Sequence, residues 1–250
     1  MNRYFDRVAY GERLVTESSP AYTTDDIYLM ASYLLYEKRL SYDEAFETIR
    51  NKIILTTIRD RDKEIQSQID RAFESKASDI SSIDFYKGEL DIIASLEDNK
   101  KQRVLFTMLG IAKYHNALNY KNDDWVSKPQ NFIFSSAGVH ASIVEQCKII
   151  YELKENGMIL NTRKADNNRV KILFCQHEPA RPVLSCRDLE GLGAIYQNHI
   201  GGIYMRGKVL KRCPICDIPF LDASTHNNRV YCSKCRNKYI VKREELRCYV

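Results

Sequence analysis

Between residues 24 and about 95 the apolar positions recur every three or four residues, a spacing that predicts helices. Thr24 or Asp25 can cap a first helix through Ile27 to Tyr36. Ser41 and Glu44 have the spacing of a capping box that opens a second helix through Ile49, Ile53 and Ile58. Further helices are predicted from about Arg61 and from about Ser82. Tyr28, Tyr33 and Tyr36 fall within the apolar stripe, which makes them packing residues rather than base-stacking ones. The alternating charges at Asp60, Arg61, Asp62, Lys63 and Glu64 read as a solvated helical face.

The pattern then changes. Residues 101–118 form a strongly apolar helix, with Val104, Leu105, Met108, Leu109, Ile111 and Ala112, and a loop holding Trp125 and Pro129 follows. A short helical piece begins at Phe132 and is broken by Gly138. Ser142 and Glu145 form a second capping-box pair, opening a helix through Cys147, Ile150 and Leu153 that ends at Asn156 and Gly157, where glycine can take a left-handed cap. Residues 158–162 and 169–174 alternate as two strands around the turn-forming run Ala165, Asp166, Asn167 and Asn168. Pro179 and Pro182 mark a boundary, and a helix is predicted over 188–199 before Gly201 and Gly202. The fold class is therefore mostly α with small β elements (α+β). Four regions are expected: a helical region at 1–97, a helix-and-hairpin domain at 98–177, a linker with a short helix at 178–206, and a C-terminal module at 207–250.

Composition narrows the class. A hydrophobic fraction of 44% over 250 residues suits a folded protein. No apolar run approaches the roughly 20 residues of a membrane span, so no membrane partner is expected, and the absence of a signal peptide points to the cytoplasm. Charge is uneven. Ten basic and four acidic residues lie between Lys208 and Val250, a net of +6, whereas the whole chain carries only +5. Four metal-bound thiolates and one Zn2+ would leave the C-terminal module at about +4, still a basic footprint that fits a polyanion. A solvated basic tail is the competing account.

The strongest chemical signal lies in this module. Cys213 and Cys216, then Cys232 and Cys235, are two C-x2-C pairs separated by fifteen residues, the ligand spacing of one tetrahedral zinc site. The residues between the pairs suffice for a short hairpin that brings them together. The segment is too short to bury much apolar surface, so a single structural Zn2+ is expected to supply most of its folding free energy. Two disulfides, or paired thiols without metal, are the alternatives. After Cys235 the chain continues without glycine or proline, with Tyr239, Lys242 and Leu246 at helical spacing. A knuckle, a hairpin and a helix whose first turn donates ligands resembles a treble clef. Some treble clefs are nucleases, but His226 is the only histidine in 207–250, and that chemistry needs more.

Two further motifs stand in the chain. Helix, short helix, helix and hairpin, with the run Leu153-Lys-Glu-Asn-Gly-Met-Ile and a polar turn at Asp166, resembles the winged-helix regulators over about 100–175. In that family the helix after the turn enters the major groove and the wing touches the backbone. The resemblance implies base contacts from Ser142, Glu145, Gln146 and Lys148 and wing contacts from Arg163, Lys164, Asn167, Asn168, Arg169 and Lys171. The helix itself carries Glu145, Glu152 and Glu155 against Lys148 and Lys154, with no arginine for guanine. A winged helix used for docking would carry the same pattern. Gly202 to Lys208 matches the start of a phosphate-binding loop, but Val209 stands where Ser or Thr would ligate Mg2+, and chance explains it.

No constellation combines a nucleophile, a base and a phosphate or catalytic metal site, so an enzyme is not expected. The expected function is a DNA-binding regulator of transcription or replication, its tyrosine- and lysine-rich composition resembling proteins of low-GC bacteria, their phages and plasmids. It would bind double-stranded DNA through the winged helix and through Lys211, Arg212, Arg236, Lys238, Lys242 and Arg243 of the basic module. The alternative is a protein adaptor that binds a partner protein through the zinc module and the helical N-terminal region.

Overall fold

The computed structural model describes residues 2–17, 19, 21–54, 61–119, 121–161, 170–177, 181–200, 209–216, 218–222, 229–232 and 235–236. By internal contacts the chain divides into Met1–Ser81 and Ser82–Val250. The architecture is mostly α with a few short antiparallel strands, as the hydrophobic pattern predicts. Among the described residues no helix is long and apolar enough to cross a membrane.

The first unit contains α1 (Arg7–Thr16), α2 (Thr24–Tyr36), α3 (Tyr42–Ile54) and α4 (Asp62–Glu74). Helix α1 is not anticipated by the sequence pattern, and the cap of α2 lies one residue before its expected place. The Thr23 hydroxyl accepts from the Asp26 backbone N–H while the Asp26 carboxylate accepts from the Thr23 N–H, so two otherwise orphaned donors are satisfied. Ser41 and Glu44 form the same device for α3. Helix α2 is the core element, buried continuously from Asp26 to Leu34. Two of its three tyrosines pack as expected: Tyr28 and Tyr33 are buried, and their hydroxyls donate to the Ser75 carbonyl and the Glu12 carboxylate, whereas Tyr36 is exposed, its hydroxyl reaching the Ala72 and Phe73 carbonyls. Ile58 lies outside the described residues.

The second unit begins with a strand where the sequence predicts a helix. β1 (Ile83–Phe85) pairs antiparallel with a segment one hundred residues later, and helix α5 (Lys87–Ala94) follows it. A three-residue strand whose partner is so distant has no local signature. Helix α6 (Asn99–Asn119) is buried without interruption from Val104 to Ala112 and forms the hub of this unit. Around it lie β2 (Trp125–Val126), α7 (Gln130–Ser136), α8 (Ile143–Glu155), β3 (Ile159–Asn161) and β4 (Val170–Ile172). β4 is the central strand, with β2 on one side and β3 on the other. The order is helix, strand, helix, helix and two strands, and β2 is the member that the sequence pattern leaves as loop.

Two helix ends show why this order holds. Gly157 has φ +68° and ends α8 in a Schellman motif: its N–H donates to Lys154, and the Met158 N–H to Leu153. Arg103 of α6 donates from Nε to the Ala137 carbonyl and from its guanidinium to that of Gly138, satisfying acceptors at the end of α7.

Residues 178–206, read from sequence as a linker with a short helix, contain that helix as α9 (Leu192–Ile200) and also contribute an unanticipated strand, β5 (Leu184–Cys186), which pairs with β1. Helix α9 packs on α6. Phe106 lies between Phe85 and Tyr196, with ring centroids 4.3 and 4.8 Å apart. Gly193 lets α9 approach the end of α7 closely, because a Cβ there would sit 2.0 Å from the Ala137 carbonyl oxygen. The unit closes with the hairpin β6 (Val209–Arg212) and β7 (Pro219–Asp222), register Arg212 to Pro219.

Candidate metal centre and the surface around it

The hairpin positions the first cysteine pair. Cys213 directly follows β6, and its N–H donates to the Ile218 carbonyl at 3.1 Å, closing the tight turn that holds Cys213 and Cys216. The hairpin therefore brackets the first pair, rather than lying wholly between the two pairs as the spacing suggested. The second pair opens a helical turn. The Arg236 N–H donates to the Cys232 carbonyl, and the Cys235 N–H points at the Cys232 sulfur, 3.5 Å away.

All four sulfurs lie within 4.8 Å of one another, close enough to hold one metal ion. Four sulfurs at about 2.3 Å from a tetrahedral centre would stand about 3.8 Å apart, and Cys216 and Cys232 are separated by 3.6 Å. A disulfide would bring two sulfurs to about 2.05 Å; the structure joins none of the four cysteines in one, and their mutual spacing fits a shared ion. Cys213, Cys232 and Cys235 are buried and Cys216 is half-buried. Among the described residues, Phe220 and the half-buried Tyr231 are the apolar residues packed against them.

Electrostatics agree. Burial opposes ionisation of Cys213, but the N–H groups of Cys232, Cys216 and Ile215 outweigh it and bring that thiol down to about 6. Burial pushes the Cys216 and Cys235 thiols upward. Without a cation Cys216 and Cys235 resist ionisation; a divalent ion would remove that resistance.

The residues expected at nucleic acid are placed differently from one another. Lys211 donates to the wholly buried Asp222 carboxylate at 2.8 Å, and Asp222 also accepts from the Arg229 N–H at 3.0 Å. Arg212 pairs with buried Asp188 at 3.1 Å. Both cations thus buttress the module. Arg236 is exposed just after the ligand turn. Ser142 is the N-cap of α8, its hydroxyl accepting from the Glu145 N–H. Gln146 donates to the Ala141 carbonyl and contacts Gln130. Lys148 is largely exposed, 3.8 Å from Glu152, and Lys171 is half-buried on β4. Arg163, Lys164, Arg169, Lys238, Lys242 and Arg243 lie outside the described residues, as do Asn167, Asn168 and His226.

Helix α8 rests its inner side on α6. Ile149 and Leu153 are buried, while Glu145 and Glu152 reach Lys100 and Lys101 at 2.6 Å each. These pairs offset two of the three acids that make the helix net negative. The outer side carries Ile143, Val144, Cys147, Lys148 and Tyr151, all exposed, with Ile143 at 77% and Val144 at 80%.

A second ligand-type cluster is not singled out by the sequence pattern. Asp124, just before β2, and Cys175 and His177, beyond β4, bring a carboxylate, a thiol and an imidazole within 4.8 Å of one another. The Cys-x-His spacing at 175 and 177 is its one local trace, and Asp124, fifty-one residues upstream, gives none. No known protein family, no curated protein and no solved structure matches this chain, so the geometry alone carries its functional reading.

Proposed function

We propose that the protein is a DNA-binding regulator, acting in transcription or replication, in which α8 enters the major groove and a zinc-bound module adds backbone contacts. The observation that carries this reading is the outer face of α8: one side of the helix is buried at Ile149 and Leu153, and among the described residues nothing covers Ile143, Val144 and Tyr151 on the other, as a winged-helix reading requires of its recognition helix. Zinc is the metal that four thiolates at tetrahedral spacing favour, and its role here is structural, since four protein ligands leave no open position. Ser142 and Gln146 act in this reading by fixing the start of the helix. Ile143, Val144 and Tyr151 suit apolar contact with thymine methyl groups, and Lys148 with Arg236 suits phosphates.

The test is selection of zinc-loaded full-length protein against a random duplex pool at two salt concentrations. A recovered motif that is lost in Val144→Ala and Tyr151→Ala supports the reading. Lys148→Gln and Arg236→Gln should each lower affinity for all sequences and reduce the salt slope by about one. A second reading is favoured by the same face. Three exposed apolar residues on one helix also fit a protein partner, and absence of DNA binding at low salt would select that adaptor role.

A further inference from the structure

We propose that Asp124, Cys175 and His177 form a second metal site that takes one divalent ion of the zinc class through a carboxylate oxygen, a thiolate and an imidazole nitrogen, leaving a fourth position open. The donors come from two segments brought together by the three-stranded sheet. Asp124 precedes β2, and Cys175 and His177 follow β4, the strand to which β2 is paired. Residues 175 and 177 lie two apart on a non-helical stretch, so that both can reach toward Asp124.

The separations suit a cation. The His177 Nε2 is 3.0 Å from one Asp124 carboxylate oxygen and 3.2 Å from the other. Oxygen and nitrogen ligands of a tetrahedral zinc stand about 3.3 Å apart, from metal bonds of about 2.0 Å. The sulfur completes a triangle in which no pair of ligand atoms exceeds 4.8 Å.

The carboxylate is held in place from behind. The Asn116 side-chain Nδ2 donates to Asp124 Oδ1 at 2.9 Å, and the Asn116 side-chain Oδ1 accepts from the Asp124 N–H at 3.1 Å. Both residues are buried. Such a two-point grip from the next layer of side chains is how proteins orient metal-binding carboxylates. The neighbouring cation, Lys113, is matched by Glu89 at 2.8 Å, which limits its opposition to a bound metal.

The arrangement differs from a nucleophilic Cys-His-Asp triad, where the imidazole stands between thiol and carboxylate. Here Nε2, the nitrogen that would serve the thiol, faces the carboxylate. On metal binding the thiol proton leaves to solvent and the imidazole proton resides on Nδ1. Thiolate, carboxylate and a 2+ ion then sum to zero charge, which suits a partly buried site. His177 and Cys175 are open enough for a water or another small donor to take the fourth position.

The test is Co2+ titration of metal-free full-length protein, read by native mass spectrometry and by absorption. Two equivalents are expected, the four-cysteine centre giving intense sulfur-to-metal bands and the second site adding a weaker single-thiolate increment. Cys175→Ser and Asp124→Asn should bind one equivalent while retaining the four-cysteine spectrum. His177→Gln alters the most exposed ligand and spares the buried Asn116–Asp124 contact; it should lower affinity at the second site at least tenfold. One equivalent in the unaltered protein overturns the proposal, as do two equivalents bound equally tightly by His177→Gln.

Discussion

Replacing Lys113 by Met tests how the second unit holds the segment that carries Cys175 and His177. Glu89 is wholly buried and Lys113 is 10% exposed, with nitrogen and oxygen 2.8 Å apart. The same carboxylate accepts from the N–H of Tyr86 at 2.9 Å and of Gln176 at 2.7 Å, so one buried charge ties α5, α6 and residues 175–177 together. Lys113→Met leaves that charge without its counter-ion. Breaking a buried pair from one side costs about 3–5 kcal/mol, and the two remaining N–H donors place the expected loss near the lower end, about 3 kcal/mol. Lys148→Ala is the comparison: its pair with Glu152 is 3.8 Å long and largely exposed, with an expected cost below about 0.5 kcal/mol. Urea unfolding at pH 7, followed by the fluorescence of Trp125, the chain's one tryptophan, reads this unit directly. Adding Glu89→Gln to Lys113→Met removes the stranded charge and should return about 1–2 kcal/mol. If Lys113→Met costs no more than Lys148→Ala, or if Glu89→Gln deepens the loss, the pair does not act as a buried charge pair and the reasoning is wrong.

Chelation of the four-cysteine centre should unfold the β6–β7 hairpin, because structural zinc contributes about 10–16 kcal/mol to small metal modules; hydrogen exchange at residues 209–222 measures it. Affinity at that centre should fall as pH drops from 8 to 6, since thiols that burial pushes upward must each lose a proton; metal competition across that range checks the direction. Asp188 is raised to about 6 by burial despite its pairing with Arg212. Its folded pKa lies above the unfolded value of about 3.9, so its stabilising share is full below pH 4 and is lost as pH rises through 6, about 3 kcal/mol in all. Asp188→Asn should flatten stability against pH in that window. Gly193→Ala drives a methyl into the Ala137 carbonyl and should cost about 3 kcal/mol or more, whereas Gly157→Ala meets nothing within 4 Å and should cost about 1–2 kcal/mol for its positive φ alone; thermal melts separate the two.

The local devices were legible from sequence alone. The Ser41–Glu44 capping box, the Ser142 cap, the left-handed Gly157, the apolar run of α6 and the paired cysteines all depend on residues close together in the chain. Tertiary structure decided what depends on distant partners. β1 exists because Leu184–Cys186 pairs with it, and β2 because Val170 and Lys171 lie beside it; segments of two or three residues are too short to show a strand pattern however strand-favouring their side chains. The same holds for charge. Lys211 and Arg212 read as free basic residues in the chain, and only folding sets them on the buried Asp222 and Asp188. Glu145 and Glu152 make α8 negative by count, and only α6 supplies the lysines that answer them. Asp124, Cys175 and His177 show the limit most plainly. A four-cysteine site is written in spacing because each pair of ligands shares one turn, whereas a carboxylate fifty-one residues from its thiol becomes a neighbour only when β4 pairs with β2.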